Sequence, residues 1–199
     1  MRVTQAKAAE NREKVVAVAA RLFREQGFDG VGLDAIMAAA GLTHGGFYRQ
    51  FGSKEALEAE ALAQAFAASG AWGASKPSLR AYVDGYLSPP HRDAVGEGCA
   101  VAALAPDIAR QGPGARARLT GYVTGQIVRL MGWMTGRSEA ERRQRALATL
   151  SGMVGALVLA RAVDDPALSD EFLAAGRAVL GEGFSGGPDV AGVADEARG

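Results

Sequence analysis

Along most of this chain apolar residues recur at three- and four-residue intervals, and no run alternates apolar and polar residues in the period of a strand. That pattern confines the chain to an all-α fold, and about nine helices are expected. The first spans Gln5–Gln26, with Val15, Val18, Ala19, Leu22 and Phe23 on one stripe and Gly27 at its end. Short helices follow over residues 33–40 and 43–50, the second opening at Thr43. A longer helix capped by Ser53 carries Leu57, Ala61, Leu62, Ala65 and Phe66 on its inner side. Residues 70–77 read as a linker, 78–87 as a helix stopped by Pro89-Pro90, and 91–98 as a loop. Residues 99–110 read as a helix with Pro106 as kink or terminus. After Gly112-Pro113-Gly114 a long helix is expected to about residue 135. Ser138-x-x-Glu141 is a capping box that opens a helix to about residue 163. Ser169 is read as the cap of a last helix, and residues 185–199, rich in Gly, Pro, Ala and acid, as a disordered tail.

Composition narrows the function. With 48% apolar and 22% charged residues over 199 positions, the chain has enough material for a core without covalent staples. One cysteine, Cys99, excludes an intramolecular disulfide, and two histidines with it cannot build a zinc framework. No Ser-His-Asp arrangement, Gly-rich phosphate loop or metal spacing is present, so no catalytic residues, metal site or cofactor are assigned and no enzyme is expected. The N-terminal residues are polar, unlike a secretory signal. The apolar stretches near residues 15–20 and 152–160 are too short to span a bilayer, so a soluble, cytoplasmic protein without a membrane partner is expected. Net charge is zero, yet residues 1–54 hold eight basic and five acidic side chains, a local surplus of +3 that faces the front of the molecule toward an anion.

Residues 15–57 carry the sharpest signal. Two short helices joined by Ala40-Gly41-Leu42-Thr43 form a compact pair, with Gly41 free to adopt positive φ at the corner. Leu33, Ile36, Met37, Leu42 and Phe47 supply its core, and the stripe of the first helix covers it. The second short helix begins His44-Gly45-Gly46, nearly bare of side chains, so its end can approach a phosphate backbone closely. Tyr48, Arg49 and Gln50 follow with donors suited to phosphates and base edges, and Lys54 starts the next helix. This is the pattern of a helix-turn-helix whose recognition helix covers residues 43–50.

On Ala20, Leu22-Phe23, Gly27-Phe28, Ile36, Ala40-Gly41-Leu42-Thr43, Gly45, Phe47-Tyr48, Phe51 and Ser53-Lys54-Glu55, the first third of the chain resembles the TetR-type transcriptional regulators. The resemblance implies a homodimeric repressor that binds a double-stranded DNA operator and is released by a small-molecule effector held in the C-terminal domain. It implies DNA contacts from Thr43, His44, Gly45, Gly46, Tyr48, Arg49 and Lys54, to which the reading of the residues adds Gln50. Two positions depart from the family pattern. Val31-Gly32 stand where a hydroxyl residue commonly caps the first short helix, and Gly46 replaces a small hydroxyl residue in the recognition helix.

The expected division is a DNA-binding domain over residues 1–52 and a ligand-binding and dimerisation domain over 53–184. Leu147, Leu150, Val154 and Leu157, spaced 3-4-3 and accompanied by Gly152, Gly155 and Ala156, read as a seam for an intermolecular four-helix bundle with Phe172 and Val179 of the last helix. Phe66, Tyr82, Tyr86, Cys99, Leu104, Tyr122, Trp133 and Met153 are the candidate pocket residues. With no Arg or carboxylate among them, an apolar or aromatic ligand is expected. Cys99 has two readings, a small buried hydrophobe or the thiol of a redox- or electrophile-sensing switch. The charged run at residues 137–145 is read as a solvated helix start.

Overall fold

The computed structural model describes residues 5–182, and these contain ten α-helices, one 3₁₀ turn and no strand. The expected tail at 185–199 lies outside the described residues. The helices are α1 (Gln5–Gln26), α2 (Leu33–Ala39), α3 (Phe47–Gln50), α4 (Lys54–Ala74), α5 (Leu79–Tyr86), α6 (Pro89–Asp93), α7 (Ala100–Arg110), α8 (Pro113–Met131), α9 (Glu139–Ala162) and α10 (Pro166–Leu180).

Serine caps explain several of the starts. Ser53, Ser78, Ser88 and Ser138 each accept a hydrogen bond from the backbone N–H three residues on, satisfying a donor that the helix leaves free. At Ser138 the box is displaced by one position, because Glu141 Oε2 accepts from the N–H of Arg137 at 2.7 Å.

The packing places buried apolar residues in two clusters. The first joins α1, α2 and α3 to α4 and to the Ala100, Leu104 and Ile108 face of α7; Val15, Ala19, Phe23, Ile36, Met37, Phe47 and Leu57 are its centre. The second joins α5, α8, α9 and α10 around Val83, Leu87, Leu130, Met153, Leu157 and Leu173. α9 and α10 approach closely because two glycines remove side chains from their contact. A Cβ on Gly152 of α9 would stand 3.1 Å from Leu180 of α10, and one on Gly176 of α10 would stand 3.4 Å from Ala156 of α9 and 2.6 Å from Leu87 at the end of α5.

Four expectations are corrected. α4 runs through Gly70 and Gly73 to Ala74 instead of ending before a linker; Gly73 is buried where a side chain would meet Arg129 and Tyr82. The loop expected at 91–98 begins with α6, since Pro89 at the first helical position needs no N–H partner. Pro106 lies inside α7 with its ring exposed and is not a terminus, the helix running on to Arg110 as expected. The last helix is capped four residues before Ser169: Asp165 accepts from the N–H groups of Ala167 and Leu168, and Ser169 is buried, donating to Ala160 O at 2.6 Å.

The dimer seam is also divided. Leu157 is fully buried within its own chain, whereas Leu147 and Val179 are exposed; Leu150, Val154 and Phe172 are half-buried against the second cluster. By length and apolarity α9 could cross a bilayer, which the sequence reading excluded. Its Ala146, Met153, Leu157 and Ala160 face packs into the second cluster, and 28% of that apolar window is buried within the chain.

Candidate functional site

The helix-turn-helix is built on the first cluster. α2 ends at a corner where Gly41 takes φ 69°, and Leu42 N–H reaches back to Met37 O at 2.9 Å. The recognition element begins as a 3₁₀ turn over His44–Gly46 and continues as α3. Phe47 anchors it, fully buried and stacked on Phe51 at 5.5 Å. Arg12 of α1 lies over the Phe51 ring at 4.3 Å and pairs with Glu60 of α4, fixing α1 and α4 around the pair.

The fixed Phe47 decides where its neighbours point. Thr43, His44, Gly45, Tyr48 and Arg49 are exposed, and Tyr48 reaches 60% exposure. Thr43 stands at the N-cap position without a side-chain cap bond, so its hydroxyl is not used within the turn. Side chains added at Gly45 or Gly46 would meet nothing within 4 Å, which leaves this end open to close approach. His44 Nδ1 is 2.5 Å from Asp34 Oδ1 of α2, and its ring is 5.8 Å from that of Tyr48.

Two of the expected DNA contacts point inward. Gln50 is half-buried, its side-chain oxygen enclosed without a partner. Lys54 donates to Phe28 O at 2.6 Å and lies 3.9 Å from Glu58, so its ammonium fastens the end of α1 to α4. Glu58 is itself buried, and desolvation, offset in part by Lys54, raises its pKa. Lys14, which was not among the expected contacts, also lies near the turn. Its ammonium stands beside the Gly41 corner, 3.6 Å from where a Cβ would be, and no carboxylate pairs with it among the described residues. Only the packing of α1 across the turn brings it there. The weakened cap expected at Val31-Gly32 is present: Gly32 caps α2 with no side-chain bond.

Behind the first cluster lies a cavity of about 170 Å³. Ala65, Ala68, Ser69 and Trp72 of α4 form one wall, Tyr82 and Tyr86 of α5 another, and His91 of α6, Glu97-Gly98-Cys99 and Tyr122 of α8 close it. Arg24 enters from the last turn of α1. Of the expected pocket residues, Tyr82, Tyr86, Cys99 and Tyr122 line it. Phe66 is one layer behind, stacked on Tyr122 at 4.4 Å, and Trp133 lies 5.5 Å from Tyr82. Leu104 and Met153 belong to the two cores. The expectation of a lining without Arg or carboxylate is overturned by Arg24 and Glu97, both long polar side chains delivered from elements distant in sequence.

The cavity is polar in a specific way. Cys99 N–H donates to His91 Nε2 at 3.0 Å, while His91 Nδ1 is 2.6 Å from Tyr86 O, so the ring is neutral with its proton on Nδ1. Burial lowers the His91 pKa, and the nearby Arg161 guanidinium lowers it further. Desolvation pushes Tyr82 up to about 12 and also raises Tyr86 and Tyr122, with the Cys99 thiol a second cause in each case. The Tyr86 hydroxyl is buried and makes no hydrogen bond of good geometry.

The comparisons agree with this architecture. Residues 15–61 match the bacterial regulatory proteins of the tetR family. A TetR transcriptional regulator from Chloroflexus aurantiacus is similar at 25% identity and a TM-score of 0.73, over 88% of this chain and 96% of that one. A TetR-family transcriptional regulator from Cytophaga hutchinsonii gives 17% identity and 0.73 over 92% and 98%. The reduced form of E. coli NemR gives 22% and 0.70 over 86% and 95%. No curated protein matches the chain significantly. The helix-turn-helix at residues 15–61 is thus matched in sequence to the tetR-family regulatory proteins, and the helical body is similar in fold to solved TetR-family transcriptional regulators.

Proposed function

We propose that the protein is a dimeric repressor that binds a palindromic DNA operator in the cytoplasm and leaves it when a small molecule fills the cavity. The observation that carries this reading is the exposed segment at residues 43–49, held rigidly by the buried Phe47 and bordered by Lys14 and Arg49. A recognition element of this kind enters the major groove, and a two-fold dimer sets two of them about 34–36 Å apart. Pairing is supported by apolar side chains left exposed on α9 and α10, namely Leu147, Val158, Leu159, Leu168 and Val179.

Fluorescence anisotropy on the DNA flanking the protein's own coding sequence, with random DNA as competitor across a salt series, tests the reading. Competitor-resistant nanomolar binding supports it, and absence of any DNA binding at low salt overturns it.

A second reading is favoured by one observation: Cys99 is buried in the cavity wall beside the Tyr86 phenol, so a reagent reaching the cavity reaches the thiol. In that reading oxidation or alkylation of Cys99 releases DNA. Release by an oxidant or electrophile that persists in Cys99→Ser sinks it.

A further inference from the structure

Arg24 belongs to the helix that covers the helix-turn-helix, yet its guanidinium is buried in the wall of the cavity. Nε donates to Gly96 O at 2.5 Å, and the remaining N–H groups face only a distant counter-charge: Glu97 is 4.0 Å away with its side chain 74% exposed at the mouth. A guanidinium offers five donors in a planar fork. Burial accordingly lowers the Arg24 pKa, with Glu97 restoring part of the loss. A second guanidinium, Arg161, lies behind His91, donating to the carbonyls of His91 and Arg92, with Nη1 enclosed and unpartnered. The cavity therefore sits in the field of the buried Arg24 and the half-buried Arg161, whose counter-charges Glu97 and Asp93 are exposed.

Its other walls are aromatic. Trp72 lies 5.4 Å from Tyr82, and the buried Tyr86 hydroxyl has the weakly hydrogen-bonding Cys99 thiol beside it and no hydrogen bond of good geometry. The volume of about 170 Å³ is of the order that holds a single six-membered ring.

We propose that the cavity binds a one-ring aromatic carboxylate, its ring against Trp72 and the cavity tyrosines and its carboxylate received by Arg24 and the Tyr86 hydroxyl. This inference rests on the reading of the cavity as the effector site and names the class of effector. It also supplies the route to DNA. A carboxylate is a stronger acceptor than a peptide carbonyl, so the ligand draws Arg24 from Gly96 O and loosens the tie between α1 and the segment preceding α7. A ligand shifts the equilibrium only through such differential contacts.

The test uses the full-length dimer with Trp133→Phe, so that Trp72 alone reports, and titrates benzoate against benzamide at constant ionic strength. Benzoate is expected to quench Trp72 with an affinity about tenfold or more above that of benzamide, and to weaken operator binding in the anisotropy assay. Arg24→Gln is expected to erase the preference. Because that change disturbs a buried site, Glu97→Gln provides an independent arm: losing the competing carboxylate should tighten benzoate about threefold without unfolding risk, since the side chain is exposed.

Equal affinity for benzoate and benzamide overturns the assignment of the anion while leaving the effector cavity intact. Binding of neither up to about 10 mM overturns the ligand class, since a fragment of this size in a fitted pocket binds within that range. Operator binding by the ligand-free protein, measured in the same assay, shows separately whether the regulator reading stands.

Discussion

Arg24 Nε and Gly96 O, 2.5 Å apart, join the last turn of α1 to the loop that enters α7, across 72 residues of sequence. Gly96 can lie there because it has no side chain: a Cβ would stand 2.4 Å from Glu25 Oε1 and 2.7 Å from Arg21 Cγ. The far end of α7 makes a second tie, Phe28 N–H to Asp107 Oδ2 at 3.3 Å, just past the positive-φ Gly27. α7 thus holds the DNA-binding unit at two points, one at the cavity and one at the start of the loop into α2.

Removing the exposed donors of the recognition element should weaken DNA binding and leave the fold unchanged. Arg49→Ala is expected to cost about 1–3 kcal/mol of operator affinity, and Tyr48→Phe about 0.5–1.5 kcal/mol for its lost hydroxyl. Tyr48 is 60% exposed, so melting temperatures should match the parent. Anisotropy titrations with paired thermal melts check both. Equal DNA affinity in Arg49→Ala would remove this face from the interface.

Assembly and core should separate on α9 and α10. Leu147→Glu with Val179→Glu places charge on side chains exposed in the single chain, and sedimentation should show a folded monomer with weakened operator binding. Leu157→Ala should instead lower stability by about 2–5 kcal/mol, because Leu157 is fully buried in its own chain. A dimer persisting in the double glutamate variant would place the interface elsewhere.

Two glycine substitutions should have opposite signs. Gly176→Ala puts a Cβ 2.6 Å from a methyl of the fully buried Leu87, and overpacking there should destabilise by about 1–3 kcal/mol. Gly121→Ala, exposed within α8 with open space around it, should stabilise by about 0.5–1 kcal/mol. Urea unfolding of the two variants measures the difference.

His91 should make stability depend on pH. Its pKa is lowered in the folded protein from 6.5, so between the two values the unfolded chain binds more protons. The stabilisation is therefore complete above about pH 6.5 and is lost as the pH falls toward the folded value. Protonation would also put a proton on Nε2, which accepts from Cys99 N–H. Melting temperatures of parent and His91→Gln between pH 8 and pH 5 should converge in slope only if another group is responsible; a steeper fall in the parent is the expected result.

Much of the molecule was determined locally, and to that extent the sequence decided it. Apolar spacing placed α1 and its end at Gln26; Ser53, Ser78 and Ser138 marked helix starts, and Gly41 marked the corner of the helix-turn-helix. Each of these depends on residues within a turn or two of chain, so a linear reading reaches them. Tertiary structure decided which stripes are covered and where long polar side chains end. Periodicity put Leu157 and Leu147 on one seam, but α5, α8 and α10 bury the first and leave the second exposed. Lys54 turns to Phe28, and Arg24 crosses from the DNA-binding unit into the cavity. The carbonyls that receive them lie 26 and 72 residues away, and only packing of those segments together creates the sites.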